Sequence, residues 1–393
     1  ILATQADTAV VVGTVSDYLT AKGDAKLYNI NLPAGVYLQA QLTTPANADL
    51  DYDLYLLDAE GNILTGSDYY TYINGTAGTL PEALGYITSG DTATYYLYVL
   101  ASEGGSVSES FTLDYSVSTA CDSYEIDESV RQALAFTYGA GGAYIESRNL
   151  SSPIDNDWYV ITVPSSRIYD KLKISATTAS TNTCSVEVYQ NVASEGYQMK
   201  RVGSGNTISV SSGKYYIRVS NAKTMENFDD LDIQNYKLSI TPILKATGIV
   251  ITDLKGSEGL NKVVNYPGYG AHFRTQGSGT LTVYGVLTAT DSSTGVTYAV
   301  GGEQINGLYY SPAWEANNTS ANAIRRGTGT TDSSGKFEID ISLPPGIGVY
   351  SYYGSTSTHY FDICGVSVSP SDDSSISASE TIFHLAYTMY HPF

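Results

Sequence analysis

Polar and apolar residues alternate along most of this chain with a period of two, which is the period of a β-strand. At 28–32 (Tyr-Asn-Ile-Asn-Leu) and 38–42 (Leu-Gln-Ala-Gln-Leu), every second residue is apolar. Because successive strand side chains point to opposite faces, this alternation places one face on a core and the other in water. Turn-forming sequences rich in Gly, Asp and Ser separate such runs at 33–35, 58–62, 102–105, 291–295 and 332–335. Short strands and turns at this spacing predict an all-β fold of antiparallel sandwiches.

Five strand-like segments recur in the same order, which indicates an internal repeat. The clearest pair is 28–33 (Tyr-Asn-Ile-Asn-Leu-Pro) and 159–164 (Tyr-Val-Ile-Thr-Val-Pro). The other pairs are 38–40 with 172–174, 53–57 with 185–189, 95–99 with 215–219, and 111–113 with 236–238. The repeat predicts three tandem β-sandwich domains after an N-terminal strand at 1–12: two homologous sandwiches at 13–119 and 120–243, and a different one at 244–393.

The chain is strongly acidic, which restricts its partners. Its 393 residues include 40 Asp and Glu against 20 Lys and Arg, so that the formal net charge is −20. This charge has the wrong sign for contact with a phosphate backbone, and we expect no nucleic-acid partner. The sequence has no run of 18 apolar residues, so we also expect no insertion into a membrane.

The start and the composition of the chain suggest an exported protein. The sequence begins at Ile1 rather than at a methionine, and it has 35 tyrosines but only three cysteines. A mature chain whose signal peptide has been removed has these features. We therefore expect a location outside the cell or on the cell surface.

Three segments of the first repeat resemble the bacterial pre-peptidase C-terminal (PPC) domain. They are 49–58 (Asp-Leu-Asp-Tyr-Asp-Leu-Tyr-Leu-Leu-Asp), 61–62 (Gly-Asn) and 95–99 (Tyr-Tyr-Leu-Tyr-Val). Members of that family are small jelly-roll or immunoglobulin-like sandwiches attached to secreted hydrolases and to surface proteins. In the second repeat, Ser185 and Glu187 replace the Asp and Tyr of the D-L-Y-L run, so the resemblance implies a role for those aspartates in the first repeat alone.

The third predicted domain resembles bacterial immunoglobulin-like modules. The resemblance lies in 279–288 (Gly-Thr-Leu-Thr-Val-Tyr-Gly-Val-Leu-Thr) and in the hairpin 330–337 (Thr-Thr-Asp-Ser-Ser-Gly-Lys-Phe). Such a hairpin specifies a fold and carries no reaction. Together, the two resemblances imply a bacterial source and a place outside the bacterial cell.

No catalytic motif is present, so we predict that the chain is not an enzyme. It has no G-x-S-x-G elbow, no phosphate-binding loop and no dinucleotide fingerprint. The four histidines lie in the third predicted domain at spacings that match no zinc site; they are His272, His359, His384 and His391.

The candidate metal ligands are Asp49, Asp51 and Asp53. Alternation places them on one side of a strand, about 7 Å apart, and grouped carboxylates suit a hard cation such as Ca²⁺. The segment is not an EF-hand loop, because its sixth position is Leu54 where that loop needs glycine. The alternative is that these aspartates are solvated or cap a turn at the edge of a sandwich. Calcium is the one cofactor that this pattern suggests.

Three cysteines leave at least one thiol unpaired within the chain. Cys121 and Cys184 fall in one predicted domain, so we expect a disulfide between them if the compartment is oxidising. Cys364 lies in an apolar run and is expected to be an inert buried thiol.

Apolar, strand-like ends suggest a role in assembly. The N-terminal residues that would pair are Ile1, Leu2, Val10, Val11 and Val12. Such a strand can join a sheet of a neighbouring copy, or it can dock within its own chain. The first case predicts an extracellular structural protein, a subunit of a self-assembling filament or sheath held by strand exchange and tyrosine-rich interfaces. The alternative is a secreted, non-catalytic binding or adhesion module for polysaccharide or fibrous protein, with calcium at Asp49, Asp51 and Asp53 as a candidate cofactor.

Overall fold

The computed structural model consists almost entirely of β-strands and divides into two compact units. The first unit contains residues 1–165 and 170–243, and the second contains 166–169 and 244–393. The structure describes residues 10–47, 49–68, 70–73, 76–77, 81–119, 121–178, 184–192, 198–204, 206–221, 234–257, 260–266, 270–275, 279–312, 323–344, 350–353, 356–359 and 362–386. Within these ranges, no helix has the length and apolar character needed to cross a membrane.

The first ten strands come from the first predicted sandwich. They are β1 (Val10–Asp17), β2 (Ala25–Leu32), β3 (Tyr37–Thr43), β4 (Asp51–Leu57), β5 (Ile63–Ser67), β6 (Tyr70–Ile73), β7 (Thr76–Ala77), β8 (Glu82–Ile87), β9 (Ala93–Glu103) and β10 (Phe111–Ser118). Eight of them form two four-stranded sheets, in the orders β1-β10-β3-β8 and β2-β9-β4-β5. Alternate residues such as Leu38, Leu54 and Leu97 fill the core between the sheets, as the alternation predicts.

The second sandwich follows the same plan and adds strands at both edges of one sheet. Its strands are β11 (Leu134–Ala135), β12 (Ala143–Leu150), β13 (Asn156–Val163), β14 (Tyr169–Thr178), β15 (Cys184–Asn191), β16 (Gln198–Ser204), β17 (Thr207–Ser209), β18 (Gly213–Asn221) and β19 (Gln234–Leu244). One sheet has the order β12-β19-β14-β17, and the other has β11-β13-β18-β15-β16-β6-β7. Because β6 pairs in parallel with β16, a segment of the first sandwich extends a sheet of the second, and the two form one unit.

The strand orders of the two sandwiches correspond one to one. The order β1-β10-β3-β8 matches β12-β19-β14-β17, and β2-β9-β4-β5 matches β13-β18-β15-β16. The repeated segment at 28–32 lies in β2, and its counterpart at 159–163 lies in β13. The repeat in the sequence is therefore a repeat of topology.

The second unit contains a further β-sandwich core. Its strands are β20 (Gly248–Gly256), β21 (Leu260–Tyr266), β22 (Gly270–Thr275), β23 (Gly279–Thr290), β24 (Thr297–Ala299), β25 (Gln304–Tyr310), β26 (Ile324–Thr330), β27 (Lys336–Leu343), β28 (Tyr350–Tyr353), β29 (Thr356–His359), β30 (Asp362–Pro370) and β31 (Ala378–Ala386). In one sheet, β23 pairs with β20, β24 and β27; the other has the order β21-β22-β31-β30-β25-β26, and β28 and β29 form a hairpin. Leu281, Ile339 and Val366 are buried in this core.

Glycines and aspartates close the turns where the sequence predicts them. Five turn glycines have a positive φ: Gly35, Gly61, Gly104, Gly295 and Gly335. In the last of these turns, Asp332 Oδ1 accepts hydrogen bonds from the backbone N–H of Ser334 (2.8 Å) and of Lys336 (3.0 Å). The local sequence therefore determines these connections.

The N-terminal strand belongs to its own sandwich. Val10, Val11 and Val12 lie in β1 and pair with residues 116–118 of β10 in the same chain. This corrects the expectation that these valines are donated to a neighbour, and the boundary predicted at residue 13 falls inside a strand. The physical reason is that the pairing of β1 with β10 runs without a register shift from Val10 to Asp17, so the whole strand docks as one. Ile1 and Leu2 lie outside the described residues.

Candidate metal centre

Residues 121–128 connect the two sandwiches and cover the outward face of the sheet that contains β3. Gly85 of β8 lies beneath this segment, where a Cβ atom would come within 2.7 Å of Glu128 Cγ and of the Tyr37 hydroxyl. Glycine at this position therefore lets the segment reach the sheet. The contact buries Tyr37 and Gln39 of β3 together with Glu128.

Six carboxylates and one arginine meet in this space, and we call them the junction cluster. The members are Asp122, Glu125, Asp127 and Glu128 of the connecting segment, Asp155 and Asp157 at the start of β13, and Arg148 of β12. Four of the carboxylates and the arginine are each at most 1% exposed. If all six carboxylates were ionised, five negative charges would lack a counter-charge within the cluster. Because an uncompensated buried ion is costly, the cluster needs protons or another cation.

A β-bulge turns Arg148 into the cluster. Tyr144 and Glu146 of β12 are exposed, so regular alternation would also expose residue 148. Instead, the pairing of β12 with β19 shifts between Ile145 and Arg148, and Ser147 adopts a φ of 63°. A bulge moves the alternation by one residue, and as a result the Arg148 side chain is fully buried.

The Arg148 guanidinium binds the carboxylates in one half of the junction cluster. Its Nη1 donates to Asp122 Oδ1 (2.7 Å), and its Nε donates to the Tyr159 hydroxyl (2.7 Å). Its Nη2 contacts Asp127 Oδ2 and lies 3.0 Å from Asp157 Oδ1. Burial alone would lower the pKa of Arg148, but Asp157 and Asp127 raise it above its usual value. The arginine therefore stays charged.

In the other half of the junction cluster, one hydroxyl group lies between two carboxylates. The Tyr37 hydroxyl lies 2.7 Å from both Glu125 Oε2 and Glu128 Oε1, yet a hydroxyl can donate only one hydrogen bond. Glu128 also accepts hydrogen bonds from Gln39 Nε2 (2.6 Å) and from the backbone N–H of Asn156 (3.1 Å). Glu125 Oε1 accepts none from the described part of the chain. This half therefore has more acceptors than donors.

Burial raises the pKa values of five carboxylates of the cluster: Glu125, Asp127, Glu128, Asp155 and Asp157. It raises the pKa of Glu125 to about 8, and repulsion from Asp155 adds to the effect. Burial likewise raises the pKa values of Asp127, Glu128 and Asp157 well above their usual range. Burial therefore favours the protonated form of these groups, and a bound cation would favour the ionised form.

Glu125, Asp155 and Asp157 are the members best placed to bind a metal ion. Their ligand oxygens all lie within 4.8 Å of one another, and two oxygens bound to one Ca²⁺ at about 2.4 Å lie no farther apart than roughly 5 Å. Glu125 Oε1 and Asp155 Oδ1 accept no hydrogen bond from the described residues, and neither does the buried Gln39 Oε1. These are hard oxygen ligands, and several of them without a fixed octahedral arrangement suit Ca²⁺ better than Mg²⁺.

The first sandwich contains the same ion pair with the charges exchanged. In the repeat, Asp17 occupies the place of Arg148, and Lys26 occupies the place of Asp157. Lys26 Nζ lies 3.1 Å from Asp17 Oδ2, and these two side chains are 43% and 32% exposed. Arg148 and Asp157 are both 0% exposed. The first repeat therefore shows the pair in water, without the excess of carboxylates.

The three aspartates predicted to bind calcium do not meet at one point. Asp49 is exposed in a turn, whereas Asp51 and Asp53 lie on β4 and are half-buried and buried. Burial raises the pKa of both strand aspartates, that of Asp53 to about 6, where repulsion from Asp51 contributes. Among the described residues, the carboxylates close enough to share an ion belong to the junction cluster instead.

Cys121 and Cys184 are both free thiols, so the predicted disulfide is not formed. Membership of one repeat does not bring two Cβ atoms into the narrow geometry that a disulfide requires. Burial raises the pKa of both thiols, that of Cys184 to about 12, which disfavours the reactive thiolate. Cys364 is a buried thiol in the core of the second unit.

No family model matches this chain. The uncharacterized protein YlqB of Bacillus subtilis (strain 168) is 36% identical over 74 residues, which are 19% of this chain and 46% of that protein. The chain therefore spans about half the length of the curated relative that it matches. The resemblance to PPC and immunoglobulin-like domains stays a prediction.

Solved β-rich proteins resemble the chain only weakly. The PBSX exported protein XepA aligns with a TM-score of 0.23 and 10% identity, over 61% of this chain and 90% of that one. The CBM22-1-CBM22-2 tandem domain from Paenibacillus barcinonensis Xyn10C aligns with a TM-score of 0.17 and 10% identity, over 59% of this chain and 91% of that one. At these scores, the likeness supports no statement about function.

Replacing Arg148 should be far more damaging than replacing its counterpart in the first repeat. Arg148→Met leaves buried carboxylates without their cation, and we expect a loss of about 3–5 kcal/mol. Lys26→Met breaks the exposed pair and should cost no more than about 1 kcal/mol. Urea unfolding of both variants in calcium-free buffer at pH 7 measures the difference. Equal losses would contradict the account of the cluster.

Replacing Asp53 should stabilise the chain in a pH-dependent way. The folded pKa of about 6 lies above the unfolded value of 3.8, so the folded state holds the extra proton and wild-type stability falls as pH rises between these values. Asp53→Asn cannot ionise, and Ser102 and Tyr55, whose hydroxyls bond Asp53, can still donate to the amide oxygen. The variant should therefore gain stability relative to wild type from pH 4 to pH 6 in urea titrations. A difference that does not vary with pH would refute the burial effect.

Proposed function

We propose that this chain is a non-catalytic structural module of the bacterial cell exterior, whose first two sandwiches are held together by Ca²⁺ in the junction cluster. The observation that supports this proposal is the excess of buried carboxylates over cations. Three of these carboxylates, Glu125, Asp155 and Asp157, have oxygens within 4.8 Å of one another. A divalent cation would replace the protons that the cluster otherwise holds, and it would do so where calcium is plentiful, outside the cell.

Calcium at this position would tie together parts that already touch. The connecting segment bonds the first sandwich where Glu128 accepts from Tyr37 and Gln39. It bonds the second sandwich where the backbone N–H of Trp158 donates to the Asp127 carbonyl (3.0 Å). An ion held by Glu125 on one side and by β13 on the other would close this bridge. Glu125 is half-buried and gives the ion a route to solvent.

The domain types and the location form part of the same proposal. The matching strand orders of the first two sandwiches support two homologous PPC-like domains, and the two-sheet core of the second unit supports an immunoglobulin-like one. Both types would belong to an exported protein. Its partners would be copies of itself, with surface glycans as further candidates.

In its finer form, the proposed function is that of a filament or sheath subunit. Among the strands that the structure describes, β1 is at the edge of its sheet, and an edge strand can pair with a strand from a neighbouring copy. Residues 1–9 precede β1 and supply a segment of suitable composition, with Ile1 and Leu2 at its start. In this arrangement, the valines of β1 receive a strand and are not donated.

Removal of residues 1–9 should abolish assembly and leave the fold intact. Negative-stain electron microscopy of the concentrated full chain should show filaments, and the shortened chain, which retains β1, should show single particles. Dispersed particles in both samples would contradict the filament. The calcium proposal does not depend on this result.

Calcium should stabilise the first unit through the junction cluster. At a free Ca²⁺ concentration 100 times the dissociation constant, binding adds about 2.7 kcal/mol to the free energy of unfolding, which corresponds to a rise in melting temperature of about 5–10 °C. Differential scanning calorimetry with EDTA and with CaCl₂ measures this shift. We expect Asp155→Asn to abolish it.

Matched variants separate this site from the one that the sequence suggests. Asp49→Asn and Asp51→Asn should retain the full calcium shift, because these residues lie outside the junction cluster. If the shift survives in Asp155→Asn and disappears in Asp51→Asn, calcium binds on β4 and the proposal is wrong. Absence of a shift in the wild type would also refute it.

A further inference from the structure

The first sandwich has two outward faces: one is covered by the connecting segment, and the other carries tyrosines. The outward face of the sheet containing β3 lies beneath the connecting segment, as described above. The outward face of the sheet β2-β9-β4-β5 carries two rows of side chains that run across paired strands. The first row is Leu27, Tyr98 and Tyr55, and the second is Asn29, Tyr96 and Leu57. We call these six residues the tyrosine face.

The apolar part of this face lies in water. Leu27 is 58% exposed, and Ile63 of β5, which pairs with Leu57, is 64% exposed. Two such residues at opposite edges of one sheet face, with tyrosines between them, indicate a surface that a partner covers.

Gly66 lets a tyrosine ring lie close to the sheet. A Cβ atom on Gly66 would come within 2.4 Å of Tyr55 Cδ1 and 2.9 Å of Tyr55 Cε1, so the ring rests against the backbone of β5. The Tyr98 ring lies beside it, with centroids 6.1 Å apart and planes tilted by 38°. The pair forms a low aromatic platform instead of two separate projecting side chains.

The six residues of this face include no acidic or basic side chain, although the chain as a whole has a net charge of −20. The neighbouring Asp53, on the same side of β4, is buried, and its Oδ2 accepts a hydrogen bond from the Tyr55 hydroxyl (3.3 Å). Within the described part of the chain, no hydrogen bond to the hydroxyl of Tyr96 or of Tyr98 is found, so both can bond a ligand. Asn31 and Thr94 pair next to the second row, and Asn31 Oδ1 accepts a hydrogen bond from Thr94 Oγ1 (2.7 Å). An occupant of this face would therefore be neutral, with hydroxyl groups and flat apolar surfaces.

We propose that the tyrosine face binds a neutral polysaccharide chain. The apolar faces of sugar rings would stack on Tyr55 and Tyr98, and sugar hydroxyls would bond the hydroxyls of Tyr96 and Tyr98 and the Asn29 amide. Tyrosine suits this role because it combines an apolar ring with a hydroxyl in water. This activity goes beyond the structural role proposed above, and it does not require the junction cluster, which lies on the other sheet of the sandwich.

Depletion assays on insoluble glycans test the proposal. The full chain is mixed with cellulose, chitin or insoluble xylan, and the protein left in solution is measured in EDTA and in CaCl₂. We expect retention on at least one of these glycans in both buffers. The double substitution Tyr96→Ala and Tyr98→Ala should weaken binding by about tenfold or more, because each stacked aromatic contributes a separate contact.

Two further variants test the proposal if the double variant does not fold. Gly66→Ala retains every tyrosine but displaces the Tyr55 ring, and it should also weaken binding. Tyr144→Ala removes an exposed tyrosine from β12 and should bind like the wild type. Unchanged binding in the double variant, no retention on any glycan, or retention on immobilised collagen alone would overturn the proposal. If the wild-type chain binds a glycan but its melting temperature does not rise with CaCl₂, the proposed function is wrong and this inference stands.

Discussion

Negative charge buried without enough positive charge is the constraint on which the junction of the first two sandwiches depends. Arg148 reaches three of the six carboxylates in the junction cluster, and the others rely on hydroxyl, amide and backbone donors. Because burial penalises the ionised form of a carboxylate that lacks a cation, these groups cost the folded chain free energy at neutral pH when no ion is bound. In the function proposed above, a divalent ion would join these carboxylates and link the two sandwiches. In the proposed function, calcium binding would therefore affect both the stability of the first unit and the contact between its two sandwiches.

The internal repeat shows how such a junction can arise within a conserved plan of strands. Both sandwiches have the same strand order, and both place an ion pair on the same two strands. In the first, the pair of Lys26 and Asp17 lies in water. In the second, the exchanged pair of Arg148 and Asp157 is buried beneath the connecting segment. Covering this position, and adding carboxylates from the cover, converts an ordinary surface pair into a candidate metal centre.

The sequence predicts the local features of this fold well and the junction poorly. Alternation and turn residues predict the strands and the glycine turns, because both depend on neighbours in the chain. The bulge at Ser147 reverses the direction of Arg148, and period-two reasoning assigns that side chain to solvent. Carboxylates from residues 122–128 and 155–157 meet only through tertiary contact. The detectable signal is the density of acidic residues in the connecting segment, together with Asp157 where the first repeat has Lys26.

Terbium luminescence is the most direct measurement of the central claim, because Tb³⁺ replaces Ca²⁺ at oxygen sites and nearby tyrosines sensitise its emission. Tyr37 contacts Glu125 in the junction cluster and is well placed to do so. The account predicts emission that saturates with added Tb³⁺, declines when Ca²⁺ is added, and is lost in Asp155→Asn but retained in Asp51→Asn. Emission of equal strength in the wild type and in Asp155→Asn would show that the buried carboxylates of the junction do not bind the ion.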